Sequence, residues 1–71
     1  MIFNYSKLKG RITELFGDQR SFAKAIGMGI PTLSNKLNNK SGITQEEVLR
    51  MSKALQIDHS DLYFFFFCTE N

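Results

Sequence analysis

Apolar residues recur at helical spacing in successive stretches of the chain, separated by glycines or short polar runs. Leu8, Ile12, Leu15 and Phe16 form the first stripe, with Ser6 as its cap and Gly17 as its stop; Gly10 weakens this helix slightly. The second helix starts at Asp18, whose carboxylate can accept bonds from the unpaired N–H groups of the following turn, and carries Phe22 and Ile26 on one face. Ala23 beside them is small enough for another helix to approach closely, and Gly27 ends the segment because glycine takes the left-handed conformation at low cost. Met28 then plugs a turn and Gly29 opens a third helix. Pro31 fits the first turn of that helix, where the N–H groups have no intrahelical partner, and Leu33 and Leu37 face the core. After the loop Lys40-Ser41-Gly42, Thr44 and Glu47 have the spacing of a capping box, and Val48, Met51 and Leu55 make the core face of a fourth helix. Asp58 with Asp61 predicts a last helix, with Ile57 and Leu62 packed against the fourth. The expected fold is all-α: one domain over residues 1–71, a compact bundle of about five short helices.

The segment from Asp18 to Asn39, DQRSFAKAIGMGIPTLSNKLNN, places its polar, apolar and glycine positions where a helix-turn-helix needs them. Its second helix leaves Thr32, Asn35, Lys36 and Asn39 outward, with Asn38 and Lys40 at its end. Short polar and cationic side chains of this kind suit base edges and phosphates. The alternative reading of the same residues is an αα-hairpin with a solvated polar face.

Charge changes the picture more than composition does. Residues 1–40 hold seven Lys/Arg against two Asp/Glu, a net of +5, and residues 41–71 hold two against five, a net of −3. A basic half that contains Arg20 and the outward face of the third helix favours phosphate, and an acidic half turned away limits indiscriminate binding. Lys7, Lys9 and Arg11 lie mostly off the first stripe, within reach of a DNA backbone or simply solvated. Cys68 is the only cysteine, so the chain has no internal disulfide and no cysteine-based metal cluster, and no cofactor is expected. The first residues lack the pattern of a leader, and the longest apolar run, Tyr63 to Cys68, is far below the roughly 20 residues that cross a bilayer. A cytoplasmic protein is expected. No nucleophile, base and orienting acid can converge, and His59 stands alone between Asp58 and Ser60, so catalysis is not expected.

The segment 62–68 carries five of the nine aromatic residues of the chain. Consecutive residues cannot all face one core, whether in a helix or in a strand. Each Phe left in water forgoes roughly 1.5 to 3 kcal/mol of burial. Two readings follow: a lid folded on the core with Phe64 and Phe67 buried, or a protein interface formed by Leu62, Tyr63, Phe64, Phe65, Phe66 and Phe67.

Across almost its whole length the chain resembles the lambda-repressor-like helix-turn-helix domains, and more closely the small Cro-like and repression-modulating proteins of temperate phages of Gram-positive bacteria. The resemblance is carried by YSKLKGRI at Tyr5 to Ile12, FGDQRSFAKAIGM at Phe16 to Met28, LSNKLNNK at Leu33 to Lys40, TQEEV at Thr44 to Val48 and the aromatic ending at Tyr63 to Phe67. It implies control of a promoter that chooses between lysogenic and lytic growth, with operator DNA bound by a homodimer or by a mixed complex with a phage repressor. By position, Gln19 matches the phosphate-contacting glutamine of those domains. Ile30, Pro31, Thr32 and Asn35 occupy the sites that face base edges, Asn35 suited to pair with an adenine edge, and Lys36 and Lys40 the sites that touch phosphates. The chain departs from the pattern at Gly29, Ile30 and Pro31, where many relatives carry Ser, Arg or Gln. An apolar helix start meets thymine methyls but carries no hydrogen-bond code. A protein-binding modulator that attaches to a phage repressor is therefore the rival to a regulator that reads DNA by itself.

Overall fold

A computed structural model describes residues 2–70. A two-residue strand, β1 (Ile2–Phe3), leads into helices α1 (Ser6–Phe16), α2 (Gln19–Ala25), α3 (Ile30–Leu37) and α4 (Gln45–Ala54). A 3-10 turn (His59–Asp61), a π-helical segment (Tyr63–Phe67) and a second short strand, β2 (Thr69–Glu70), complete the chain. The domain is all-helical apart from β1 and β2, which pair antiparallel with Ile2 opposite Glu70 and Phe3 opposite Thr69. None of the described helices is long and apolar enough to cross a membrane.

The apolar stripes meet in one core. Leu8, Ile12, Phe22, Leu33, Met51 and Leu55 are fully buried there, with Ile57 and Phe66 beside them. Phe16 lies on its edge, its ring centroid 5.1 Å from that of Phe22, and joins α1 to α2. Leu15 is a correction to the first stripe: it is 41% exposed, because it follows the Leu8–Ile12 line by three residues only on the flank that Phe16 already closes. Ser6 also differs from expectation. It is the first helical residue rather than the cap, and the Asn4 Oδ1 accepts from its N–H at 2.9 Å.

Capping explains most element boundaries. The Asp18 carboxylate accepts from the Ser21 N–H at 2.8 Å, and Thr44 and Glu47 form the full capping box at the head of α4. Three helices end alike: Met28, Lys40 and Ile57 donate backbone N–H bonds to Ala23, Asn35 and Ser52, while Gly27, Asn39 and Gln56 turn through positive φ. Arg11 seals the end of α4, its Nε donating to the Leu55 carbonyl at 2.9 Å and its guanidinium also to that of Gln56. A cation on the exposed carbonyls of a helix end is favourable, and that use takes Arg11 away from any phosphate.

The last element is not the regular helix that Asp58 and Asp61 predict. Asp58 accepts from the Ser60 hydroxyl, the chain makes one 3-10 turn, and the following turn is wider, with i→i+5 bonding.

Candidate interaction surfaces

The first candidate surface is the outer face of α3. Gly29 caps this helix without a side chain and Pro31 sits in its first turn, so Ile30 (40% exposed), Pro31, Thr32 and Asn35 stand outward while Leu33 and Leu37 fill the core. Arg20 and Lys40 are exposed and Gln19 is half-buried on the flanks. The Arg50 guanidinium donates to the Ile26 carbonyl at 3.2 Å, which ties α4 to the turn between α2 and α3.

Two residues assigned to this face lie elsewhere. Lys36 is 8% exposed, and its Nζ donates to the Gly42 carbonyl at 2.7 Å and lies 3.0 Å from the Glu47 carboxylate. It follows Leu33 by three residues and so shares the inward face of α3, where its charge is matched rather than solvated. The Thr44 backbone N–H, ahead of the Lys36 ammonium, holds the Glu47 carboxyl below the usual carboxylate range, against the effect of burial. Asn39 lies beyond the end of α3 at φ 62°. Its Oδ1 accepts from the Phe3 N–H at 3.0 Å and its Nδ2 donates to the Phe3 carbonyl at 2.9 Å. An amide that the sequence places on the outward polar face is spent on the N-terminal strand.

The second candidate surface is aromatic, and both readings of segment 62–68 need correction. Phe66 is buried at 2% exposure and Phe65 packs against the core, whereas Tyr63 (56%), Phe64 (52%) and Phe67 (45%) are exposed. The lid is therefore formed by Phe66 with support from Phe65 and Leu62, not by Phe64 and Phe67. Phe66 is withdrawn from the surface, because the wide π turn points it inward.

Phe67 is accompanied by an exposed apolar residue that the sequence reading did not single out. Leu49, 56% exposed on α4, lines an apolar groove with Gln45, Val48, Leu62 and Phe67. Its signal was available, since it lies one residue after Val48 and off the stripe through Met51 and Leu55. Tyr63 meets Phe64 edge-on at 5.7 Å, and the Lys7 ammonium sits 5.6 Å from the Phe64 centroid, over a shallow cleft lined by Asn4, Ser6 and Cys68. Leu49 and Phe67 stay exposed at the groove, and Tyr63 and Phe64 at the cleft. Large apolar side chains left in water beside polar neighbours are the chemistry of a protein-binding surface.

Comparison with known proteins adds to this geometry. A family model described as protein of unknown function (DUF739) matches residues 1–69. The chain is similar to the modulator of repression of the temperate bacteriophage TP901-1 from Lactococcus lactis, known from a solution structure. Identity is 39% over 94% of this chain and 90% of that one, and the folds superpose with a TM-score of 0.83. No curated protein matches the chain.

Proposed function

The chain belongs to the DUF739 family, and from that premise we propose that it is a phage regulator that acts by binding a repressor and changing the repressor's hold on its operator. The observation that carries this reading is the 39% identity over 94% of the chain to a phage modulator of repression. The exposure of Leu49, Tyr63, Phe64 and Phe67 supports it, because large apolar side chains left in water suit a protein partner. No covalent chemistry is required, and the site of action is the bacterial cytoplasm, where repressor and operator meet.

A second reading, direct operator binding by α3, is favoured by the exposure of Thr32 and Asn35 next to Arg20 and Lys40. It is weakened by the loss of Lys36 and Asn39 from that face and by the apolar start at Ile30 and Pro31. The two are separated by following a labelled operator duplex with the repressor of the same phage genome, with and without this chain. A shift in the repressor's apparent affinity that the chain alone does not mimic supports the modulator. An unchanged repressor isotherm overturns it.

A further inference from the structure

We propose that Asn39 is a positioning residue for the exposed aromatic surface, although it lies at the far end of α3. This inference rests on the reading of that surface as the partner site. The strand pair leaves β1 with a free edge, where the Phe3 N–H and C=O point away from Thr69. An unpaired edge of this kind is normally covered by water or by another strand. Here the Asn39 side chain covers it, its Oδ1 accepting from the Phe3 N–H and its Nδ2–H donating a hydrogen bond to the Phe3 carbonyl. One side chain thus does what a third strand would do.

The consequence lies in what β1 holds on its other side. Phe3 faces Thr69, and the Asn4 N–H donates to the Cys68 carbonyl at 2.7 Å. That bond and the Phe3–Thr69 pairing set the direction in which the chain leaves Phe67. The π-helical segment has only Phe66 fully buried, so packing alone gives its exposed rings little purchase, and their placement depends on how its two ends are held. The first end is held by the 3-10 turn and Leu62, and the second by the strand pair that Asn39 braces. Phe3 also stacks on buried Tyr5, with centroids 5.9 Å apart, so the brace is seated on the core and not on a loose terminus.

The residue type fits both demands. Asparagine is among the few side chains that tolerate positive φ, which the end of α3 requires at position 39, and its amide offers one donor and one acceptor in a planar group of peptide geometry. Glycine satisfies the first demand and not the second; aspartate satisfies the first and keeps only the acceptor.

That difference supplies the test. In the full chain, Asn39→Gly and Asn39→Asp are compared with wild type by amide hydrogen exchange and by binding to the repressor. Exchange at Phe64 to Phe67 and at Cys68 is expected to rise about tenfold in Asn39→Gly and by less in Asn39→Asp, while Leu33 and Leu37 keep their protection. Affinity for the repressor is expected to fall in the same order. Unchanged exchange at Phe64 to Phe67 in both variants overturns the positioning role. Faster exchange there with repressor affinity intact leaves Asn39 as the brace and overturns the aromatic surface as the partner site.

Discussion

At the scale of single residues, Lys36 shows how a side chain's chemistry can mislead about its place. A lysine among asparagines reads as a phosphate contact, yet it is held between the Gly42 carbonyl and the Glu47 carboxylate. Its spacing from Leu33 and Leu37 puts it on the flank of the core face, and the Gly42 carbonyl and Glu47 carboxylate draw its charge inward. Lys36→Ala strands both partners and is expected to lower stability by about 1 to 3 kcal/mol in urea unfolding. Asn35→Ala, on the exposed face, is expected to stay within about 0.5 kcal/mol. The same pair shapes the acid limb. The Glu47 carboxyl is depressed in the fold, so its contribution is complete above the unfolded value of about 4.3 and is lost as pH falls through the lower folded value. Glu47→Gln should therefore flatten the drop in urea midpoint between about pH 5 and about pH 3.

At the scale of elements, the aromatic ending divides its labour in a way no residue count foretells. Five successive aromatic residues guarantee that some face outward, and composition alone does not say which. A regular helix and the observed π turn give different answers, and the π turn buries Phe66. Phe66→Ala is expected to cost about 3 to 5 kcal/mol in urea unfolding, as for other buried aromatics. Phe64→Ser and Leu49→Glu touch exposed positions and should leave the unfolding midpoint nearly unchanged while weakening repressor binding roughly tenfold or more, measured by titration calorimetry. Substituting Phe65 and Phe66 together would report on the fold rather than on the interface, since both pack on the core.

At the scale of the whole molecule, the charge asymmetry and the two surfaces have to be weighed together. Residues 1–40 carry a net of +5, but Lys36 is paired with Glu47, and the outer α3 face keeps only Thr32 and Asn35 as exposed polar groups suited to base edges. The chain alone is therefore expected to bind operator and scrambled duplexes equally, and weakly, with binding that fades between about 50 and about 200 mM salt. Fluorescence anisotropy on the two duplexes measures this directly. A clear preference for the operator at both salt concentrations would return the reading to a regulator that acts on DNA by itself.

What the sequence determined by itself was local in origin. The stripes of the first four helices, the caps at Asp18 and Thr44, and the stops at Gly17 and Gly27 depend on neighbours within four residues, and they stand in the fold with Leu15 excepted. The all-helical architecture and the core through Leu8, Ile12, Phe22, Leu33, Leu37, Met51 and Leu55 follow from those stripes. Only the tertiary structure decided where the polar side chains are used. Arg11 reaches the end of α4, Lys36 reaches the head of α4 and Asn39 reaches β1, each across a separation that periodicity does not encode. The strand pair of β1 and β2 joins the two ends of the chain, and two residues on each side are too few to leave a pattern. The same holds for the exposed apolar surface, which exists because a π turn and α4 bring Phe67 beside Leu49. Local propensity is written residue by residue, whereas the destination of a long polar or aromatic side chain depends on what the rest of the fold places within its reach.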